Sequence, residues 1–173
     1  MPARGVLPAG GEDDPAGVSE QAMSVTISKA SGADLPEILA LLAAVELPPE
    51  GVAGHLEGFL VARDGARLVG CAGLERHRRL GLLRSVAVSP GSQHSGIGSR
   101  LAAALLEDAE ETGIEEVVLL TTTARDFFAR WLGFTEAQRA AYDERLEASL
   151  EWRLPRCASA VCMAYRIRKP DNR

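Results

Sequence analysis

The segment that most constrains the fold is LLRSVAVSPGSQHSGIGSRLAAALL, residues 82–106. Its first part has the apolar character of a buried strand and its last part the apolar spacing of a helix, with a Gly- and Ser-rich connection between them. The first N–H groups of such a helix have no intrahelical carbonyl partner and point in one direction. Because the helix dipole makes this end positive, a phosphate or diphosphate would fit there. A tight connection that uses glycine only for its geometry is the alternative.

The spacing of QHSGIG, residues 93–98, excludes two well-known phosphate loops. A P-loop has the pattern GxxxxGK[ST], and no lysine follows these glycines. A dinucleotide-binding loop has the pattern GxGxxG, whose third glycine is replaced here by Leu101. Gly96 and Gly98 would still let the backbone approach an anion closely, because neither carries a Cβ. An anion site here is therefore of another kind.

Patterns of strands and helices alternate on both sides of this segment. We predict strands in 24–30, in a hairpin over 59–77 that turns at Asp64-Gly65, in 115–121 and in 159–167. Helices are predicted in 31–47, 123–134 and 141–152. Asp34 is the expected cap of the first helix, and Thr123 and Asp126 have capping-box spacing at the start of the second. This order predicts an α/β layered domain with a mixed sheet, not a doubly wound parallel one.

The composition indicates one soluble domain. The 173 residues include a Pro-, Gly- and acid-rich start, so we predict a disordered extension over 1–23 and a folded domain over 24–173. A net charge of −5 argues against non-specific binding to nucleic acid or membranes, and no apolar run is long enough to cross a bilayer. Three cysteines without zinc-like spacing and three scattered histidines predict a reduced, cytoplasmic protein without a metal.

Residues 82–101 resemble the core motif of the GNAT superfamily of N-acetyltransferases. In that family an apolar strand with the pattern V-x-P is followed by [QR]-x-x-G-x-[GA] and a helix, which this chain matches with VSP and QHSGIG. The resemblance extends over 24–168 and includes the hairpin, the strand VVLLTT and the helix that ends in Leu132-Gly133-Phe134. It implies a GNAT fold, with a mixed central sheet of about seven strands flanked by helices, and acetyl-CoA as the co-substrate.

The resemblance also implies roles for particular residues. The backbone of Val86, Ala87 and Val88 would bind the pantetheine arm as an added strand would. One of these N–H groups, which we assign to Val86, would polarise the acetyl carbonyl as an oxyanion hole does. The diphosphate of coenzyme A would be wrapped by Gln93, His94, Ser95, Gly96, Ile97, Gly98 and Ser99.

The chain departs from the family at both acid–base positions. Relatives commonly carry a carboxylate early on the strand before the loop, where this chain has Leu82. Glu75, at the end of the preceding strand, is the nearest candidate for the general base, and a solvated carboxylate at a hairpin end is the alternative. Many relatives use a tyrosine to protonate the thiolate, but the corresponding helix here carries Phe127 and Phe128. Water or Tyr142 would then have to supply that proton.

One arginine in the apolar strand is a candidate for binding the acceptor. Alternation along the strand would place on one face Leu82, Arg84, Val86 and Val88. Arg84 would then share the face of the acetyl site, where its planar guanidinium could bind an anionic acceptor. An internal ion pair is the alternative. Thr121 and Thr122 would offer hydroxyl groups to the acceptor or the pantetheine arm, unless they cap the next helix.

Within the superfamily the chain resembles the arsenic-resistance N-acetyltransferases and the compact amino-acid acetyltransferases. Both imply a small acceptor with an α-amino group and an anionic end. The first branch has Leu-Cys-Pro before the last strand, whereas this chain has Leu154-Pro155-Arg156-Cys157, which weakens any role of the cysteine in binding arsenic.

Two alternative functions and one expectation about assembly remain open. A protein N-acetyltransferase would need an open peptide groove, which the helix predicted in 141–152 would instead cover. A non-catalytic acyl-CoA-binding sensor or partner protein would explain the missing acid and base. We also expect that the last strand and its helix could form a homodimer through a sheet edge.

Overall fold

The computed structural model describes residues 24–168, so the extension predicted over 1–23 and the last five residues lie outside it. Seven strands form a single sheet in the order β1-β2-β3-β4-β5-β7-β6. All neighbours are antiparallel except β4 and β5, which are parallel, so the predicted mixed sheet is confirmed. The strands are β1 (Thr26–Lys29), β2 (Phe59–Asp64), β3 (Arg67–His77), β4 (Leu80–Val88), β5 (Glu116–Thr121), β6 (Thr135–Glu136) and β7 (Val161–Arg166).

Within residues 24–168, three α-helices flank the sheet: α1 (Leu35–Ala44), α2 (Ile97–Glu111) and α3 (Arg125–Leu132). The predicted apolar stripe of α2 is buried at every fourth residue, from Ile97 through Leu105 to Ala109. The left-handed glycines Gly113 and Gly133 follow α2 and α3, as helix ends commonly require. Among residues 24–168 every helix is too short or too polar to cross a bilayer.

The helices lie on both faces of the sheet. On one face, α2 and α3 pack with the odd-numbered residues of β5, such as Val117 and Leu119. The other face is covered by α1 and by residues 137–160, which connect β6 to β7 and are called here the β6–β7 segment. Trp152 anchors this segment, because it is buried and its indole N–H donates to Asp143 at 2.9 Å.

A β-bulge interrupts β4 at Ser85, whose φ is +57°. The bulge reverses the alternation of side chains, so the prediction that Leu82, Arg84, Val86 and Val88 share a face is wrong. Leu82 packs under the β6–β7 segment, whereas Val86 and Val88 pack in the core formed with α2. Bulges commonly redirect side chains next to functional sites.

Three local predictions are corrected by the structure. Residues 141–152 form consecutive turns instead of a helix, and near their end the Trp152 N–H donates to Ser149 Oγ, a local side-chain bond that competes with helical backbone bonding. The helix α3 is not capped by Thr123; Thr121 Oγ1 accepts from the Ala124 N–H at 2.9 Å instead.

The third correction concerns the last strand. β7 lies inside the sheet between β5 and β6, so it is not the open edge through which a dimer was expected to form. The homodimer itself stays a prediction.

Candidate active site

The sheet opens between its two parallel strands. β4 pairs with β5 only from Leu80 to Leu82, although β4 continues to Val88 and β5 to Thr121. Beyond Leu82 the two strands therefore separate, and the bulged residue Ser85 of β4 lines the gap between them. Backbone groups of separated strands are left available to a ligand, which can bind as an added strand does.

A cavity of about 260 Å³ fills this gap. Its walls come from the connection after α1, from β4, from β5 and the residues that follow it, from α3 and from the β6–β7 segment. The residues that give it chemical character are Arg84, Ser85, Val86, Thr121, Thr122, Phe128, Glu151, Arg156 and Cys157. The structure thus brings together the predicted Arg84, Val86, Thr121 and Thr122.

Arg84 is buried, and each of its three guanidinium nitrogens donates one hydrogen bond. Nη1 donates to Glu75 at 2.7 Å, Nε to Ser85 Oγ at 3.0 Å and Nη2 to the Pro48 carbonyl at 3.2 Å. The internal ion pair considered as an alternative for Arg84 is therefore present, and the same side chain also lines the cavity.

The role predicted for Glu75 as general base does not fit its surroundings. Glu75 is fully buried and does not line the cavity, so it is not the solvated hairpin-end carboxylate of the alternative either. Its second oxygen accepts from His77 Nε2 at 2.9 Å, and His55 Nε2 lies 3.6 Å away. Burial by itself raises the pKa of Glu75, but the hydrogen bonds from His77 and Arg84 and the nearby charges lower it to about 2. Such a carboxylate is a weak base at neutral pH.

Glu151, in the β6–β7 segment, is the second buried carboxylate, and it lines the cavity. Its carboxylate lies 3.9 Å from Arg84 Nε, beyond hydrogen-bond distance. The pKa of Glu151 is raised to about 7: burial raises it most, Arg84 acts in the opposite direction, and the negative charges of Glu75 and Glu50 also raise it. Sequence reasoning missed Glu151 because nothing in ASLEWRL distinguishes it from surface acids nearby.

Arg156 is a cationic lining residue that was also missed as a site residue. Its guanidinium pairs with Glu50, and its side chain is 55% exposed. Cys157, beside it, also reaches the cavity, although it was expected only in a loop. Within residues 24–168, no three His, Cys, Asp or Glu side chains are grouped to hold a metal ion.

The loop before α2 has the form that the sequence predicts. Gly96 precedes the helix in the left-handed region at φ +83°, and a Cβ built there would meet no atom within 4 Å. The loop is shaped by internal hydrogen bonds, from Gln93 Nε2 to the Val88 carbonyl at 3.2 Å and from Ser95 Oγ to the Ser92 carbonyl at 2.5 Å. At Gly96 the space next to the N-terminus of α2 is therefore not filled by other residues in 24–168.

Tyr142 does not line the cavity, which does not fit its suggested role as general acid. Its hydroxyl donates to Glu116 at 2.9 Å. Burial and that carboxylate raise the pKa of Tyr142 to about 12. Phe128 lines the cavity in the helix where relatives carry a tyrosine.

A mixed sheet of seven strands flanked by helices, with a glycine-rich loop at the start of α2, is the architecture that the GNAT resemblance predicts. The model of the acetyltransferase (GNAT) family matches residues 36–134, and the chain belongs to this family.

Three relatives are similar to most of the described fold. An amino-acid acetyltransferase of Neisseria meningitidis serogroup A is 32% identical over 129 residues, which are 69% of this chain and 29% of that protein. N-acetylglutamate synthase from Neisseria gonorrhoeae, solved with coenzyme A and N-acetyl-glutamate, has a TM-score of 0.69 and 25% identity over 84% of this chain and 35% of the other. Rv2747 from Mycobacterium tuberculosis, in complex with CoA and NLQ, has a TM-score of 0.67 and 25% identity over 83% and 99% of the two chains. The chain thus spans under a third of the curated relatives it matches.

Proposed function

We propose that this protein transfers the acetyl group of acetyl-CoA to the amino group of a small, anionic, amino-acid-like acceptor. The observation that carries the proposal is the cavity in the split of the sheet, in which Arg84, Glu151 and Arg156 place charges of both signs around one small space. A zwitterion offers a charge of each sign in return. The homologous amino-acid acetyltransferase supports the same class of acceptor.

The size of the cavity favours a small acceptor over a peptide. Pockets for drug-sized ligands enclose roughly 300–1,000 Å³, and this cavity of about 260 Å³ lies just below that range. The β6–β7 segment forms one wall of it, although it is not the helix that the sequence predicts.

The residues along β4 and the loop fit acetyl-CoA. The hydroxyl of Ser89, between β4 and the loop, is the one buried side-chain polar atom of residues 24–168 without a hydrogen-bond partner, and such atoms commonly await a ligand or water. Val86 follows the bulge and lines the cavity, where its N–H would polarise the thioester carbonyl. The loop from Gln93 to Ser99 would hold the diphosphate at the N-terminus of α2. Acetyl-CoA would supply the activated acetyl group.

Arg156 is the cation that we expect to meet the acceptor's anionic group. Each nitrogen of the Arg84 guanidinium already donates one hydrogen bond, to Glu75, Ser85 or Pro48, so this side chain is fixed in the cavity wall and its charge is shared with Glu75. The partner of Arg156 is a surface glutamate in water, where an ion pair contributes little and exchanges easily.

The test is thiol release from acetyl-CoA by the purified chain, measured against a panel of acceptors. The panel contains acidic, neutral and basic amino acids, phosphinothricin-like and arsenical analogues, decarboxylated amines and short peptides. We expect turnover of one or more anionic α-amino compounds and little with amines that lack the anion. Turnover of peptides alone would overturn the acceptor class. Tight binding of acetyl-CoA without turnover of any acceptor would favour the acyl-CoA-binding sensor.

A further inference from the structure

We propose that Glu151 is the general base that takes the proton from the acceptor's ammonium group. This role rests on the proposed acetyl transfer. It assigns the base to the β6–β7 segment instead of to the strand before the loop, where the resemblance would place a carboxylate and this chain has Leu82.

The geometry singles out Glu151 among the carboxylates of the cavity. Glu75 is held by three side chains on the far side of Arg84 and does not line the cavity. Glu46, at the cavity rim, is exposed where the connection after α1 begins. Glu151 is 7% exposed, faces the cavity, and accepts no hydrogen bond at its carboxylate from any residue in 24–168. It is therefore the buried carboxylate with room for a new donor.

The β6–β7 segment holds Glu151 in place. Its carbonyl accepts from the Leu154 N–H at 3.1 Å. The neighbouring Trp152 is fixed at its backbone N–H by Ser149, at its carbonyl by Arg139 and at its ring by Asp143, with the Arg139 guanidinium 4.9 Å from the ring centroid. A base carried on such an anchored turn keeps its position when an acceptor binds.

The charges around Glu151 suit a base that works near neutral pH. The titratable and charged groups that face it are Arg84 from β4, Glu75 from β3, Glu46 and Glu50 from the connection after α1, and Arg156 and Cys157 from its own segment. Burial, with the acidic neighbours, raises its pKa to about 7, which Arg84 keeps from rising further. General bases are most effective when their pKa lies near the working pH.

In the proposed step, Glu151 and the coenzyme A thiolate each take one proton from the acceptor's amino group. The ammonium of the acceptor binds beside the Glu151 carboxylate and gives it one proton, which leaves a neutral amine with a free electron pair. The amine attacks the thioester carbonyl, the C–N bond forms and the C–S bond breaks, and the coenzyme A thiolate takes the second amine proton through water. Glu151 then returns its proton to solvent through the cavity mouth.

The experiment compares the pH dependence of kcat/KM in the wild type, Glu151→Gln and Glu151→Asp. The wild type should rise to half its plateau near pH 7. Glu151→Gln should lose about 10²-fold or more at pH 7, and should recover towards the wild type above the pKa of the acceptor's own amine, because solution pH then supplies the neutral amine. Glu151→Asp should still show the rise of kcat/KM near pH 7, but with a lower plateau. Glu147→Gln, an exposed acid in the same segment, is the control and should match the wild type.

Each other outcome overturns the assignment. A loss in Glu151→Gln that is equal at every pH means that Glu151 has a structural role. A higher KM for the acceptor in Glu151→Gln, with the rise of kcat near pH 7 unchanged, means that Glu151 only binds the ammonium group. Calorimetric binding of acetyl-CoA by both variants verifies that they are folded. If the wild type turns over no acceptor, the proposed function fails and the role with it; turnover with the same pH profile in Glu151→Gln overturns the role alone.

Discussion

Arg84 and Glu75 form an ion pair with no exposed side-chain surface, in which Nη1 donates to Oε2 at 2.7 Å. The two residues are diagonal neighbours on adjacent strands, because Glu75 lies opposite Leu82 in the register of β3 and β4. Gly51 closes over the pair at φ +83°, where an added Cβ would lie 3.1 Å from Arg84 Nη1. The pair is thus a built part of the protein interior, and its arginine forms one wall of the cavity.

Replacing Glu75 tests whether this pair stabilises the fold. Glu75→Gln leaves the Arg84 charge buried without its partner, and breaking such a pair typically costs about 3–5 kcal/mol of unfolding free energy. Urea unfolding at pH 7 measures the loss. Asp108→Asn removes the carboxylate of the more exposed Arg76–Asp108 pair, which is equally short at 2.6 Å, and should change stability by less than about 1 kcal/mol. Equal effects of the two substitutions would contradict a dominant role for the buried pair.

Gly96 and Gly113 provide a matched test of the diphosphate site. Both have left-handed φ values, +83° and +86°, at opposite ends of α2, and a Cβ at either would meet no atom within 4 Å. Alanine should therefore cost a similar 1–2 kcal/mol, roughly, at each position. Only Gly96→Ala should also weaken acetyl-CoA, several-fold in a calorimetric titration, because its methyl group lies where the anion approaches. Unchanged affinity in Gly96→Ala would place the diphosphate elsewhere.

Arg156 is the residue with which to test recognition of the acceptor's anion. Arg156→Gln should raise KM for the anionic acceptor about tenfold, as expected from the loss of a charge-assisted hydrogen bond, and leave KM for acetyl-CoA unchanged. KM for a decarboxylated analogue of the acceptor should be the same in Arg156→Gln and the wild type. Arg153→Gln removes a nearby exposed arginine outside the cavity and serves as the control. If KM for the analogue rises as much as KM for the acceptor, Arg156 stabilises the cavity walls and does not bind the anion.

Local signals in the sequence predicted the elements that frame the site. The strand, the loop and α2 follow from apolar spacing and from glycines that end up at positive φ, such as Gly96 and Gly113. The antiparallel hairpin follows from the Asp64-Gly65 turn. These features depend on residues close together in the chain, which is why a sequence pattern can show them.

The features that give the site its charge arise from contacts between distant residues. The bulge at Ser85 depends on the register with β3, so simple alternation placed Arg84 and Val86 on the same face incorrectly. Glu75 is buried where His55, His77 and Arg84, from three different parts of the chain, converge on it. In both cases tertiary pairing decided the outcome, and no local pattern records it.

Glu151 also makes the folded protein's stability depend on pH. Its pKa rises from an ordinary 4.5 to about 7 on folding, so the folded state binds this proton more tightly than the unfolded state. Its contribution to stability is therefore complete below about pH 4.5 and is lost as the pH rises to about 7. At about 1.4 kcal/mol per pKa unit, the loss is on the order of 3 kcal/mol. Glu75 acts in the opposite sense, because its lowered pKa gives stability above pH 4.5 that is lost as the pH falls towards about 2.

Glu151→Gln should therefore be more stable than the wild type at pH 8, by up to about 3 kcal/mol, while being the slower enzyme at pH 7. Between pH 5 and pH 8 the wild type should lose stability and the variant should change little, because the variant has no ionisable group at this position. Urea unfolding at pH 5, 6.5 and 8 measures both slopes, with Glu147→Gln expected to follow the wild type. Parallel slopes in the wild type and Glu151→Gln would show that Glu151 is already ionised at pH 5, which would also remove the electrostatic support for its role as the base.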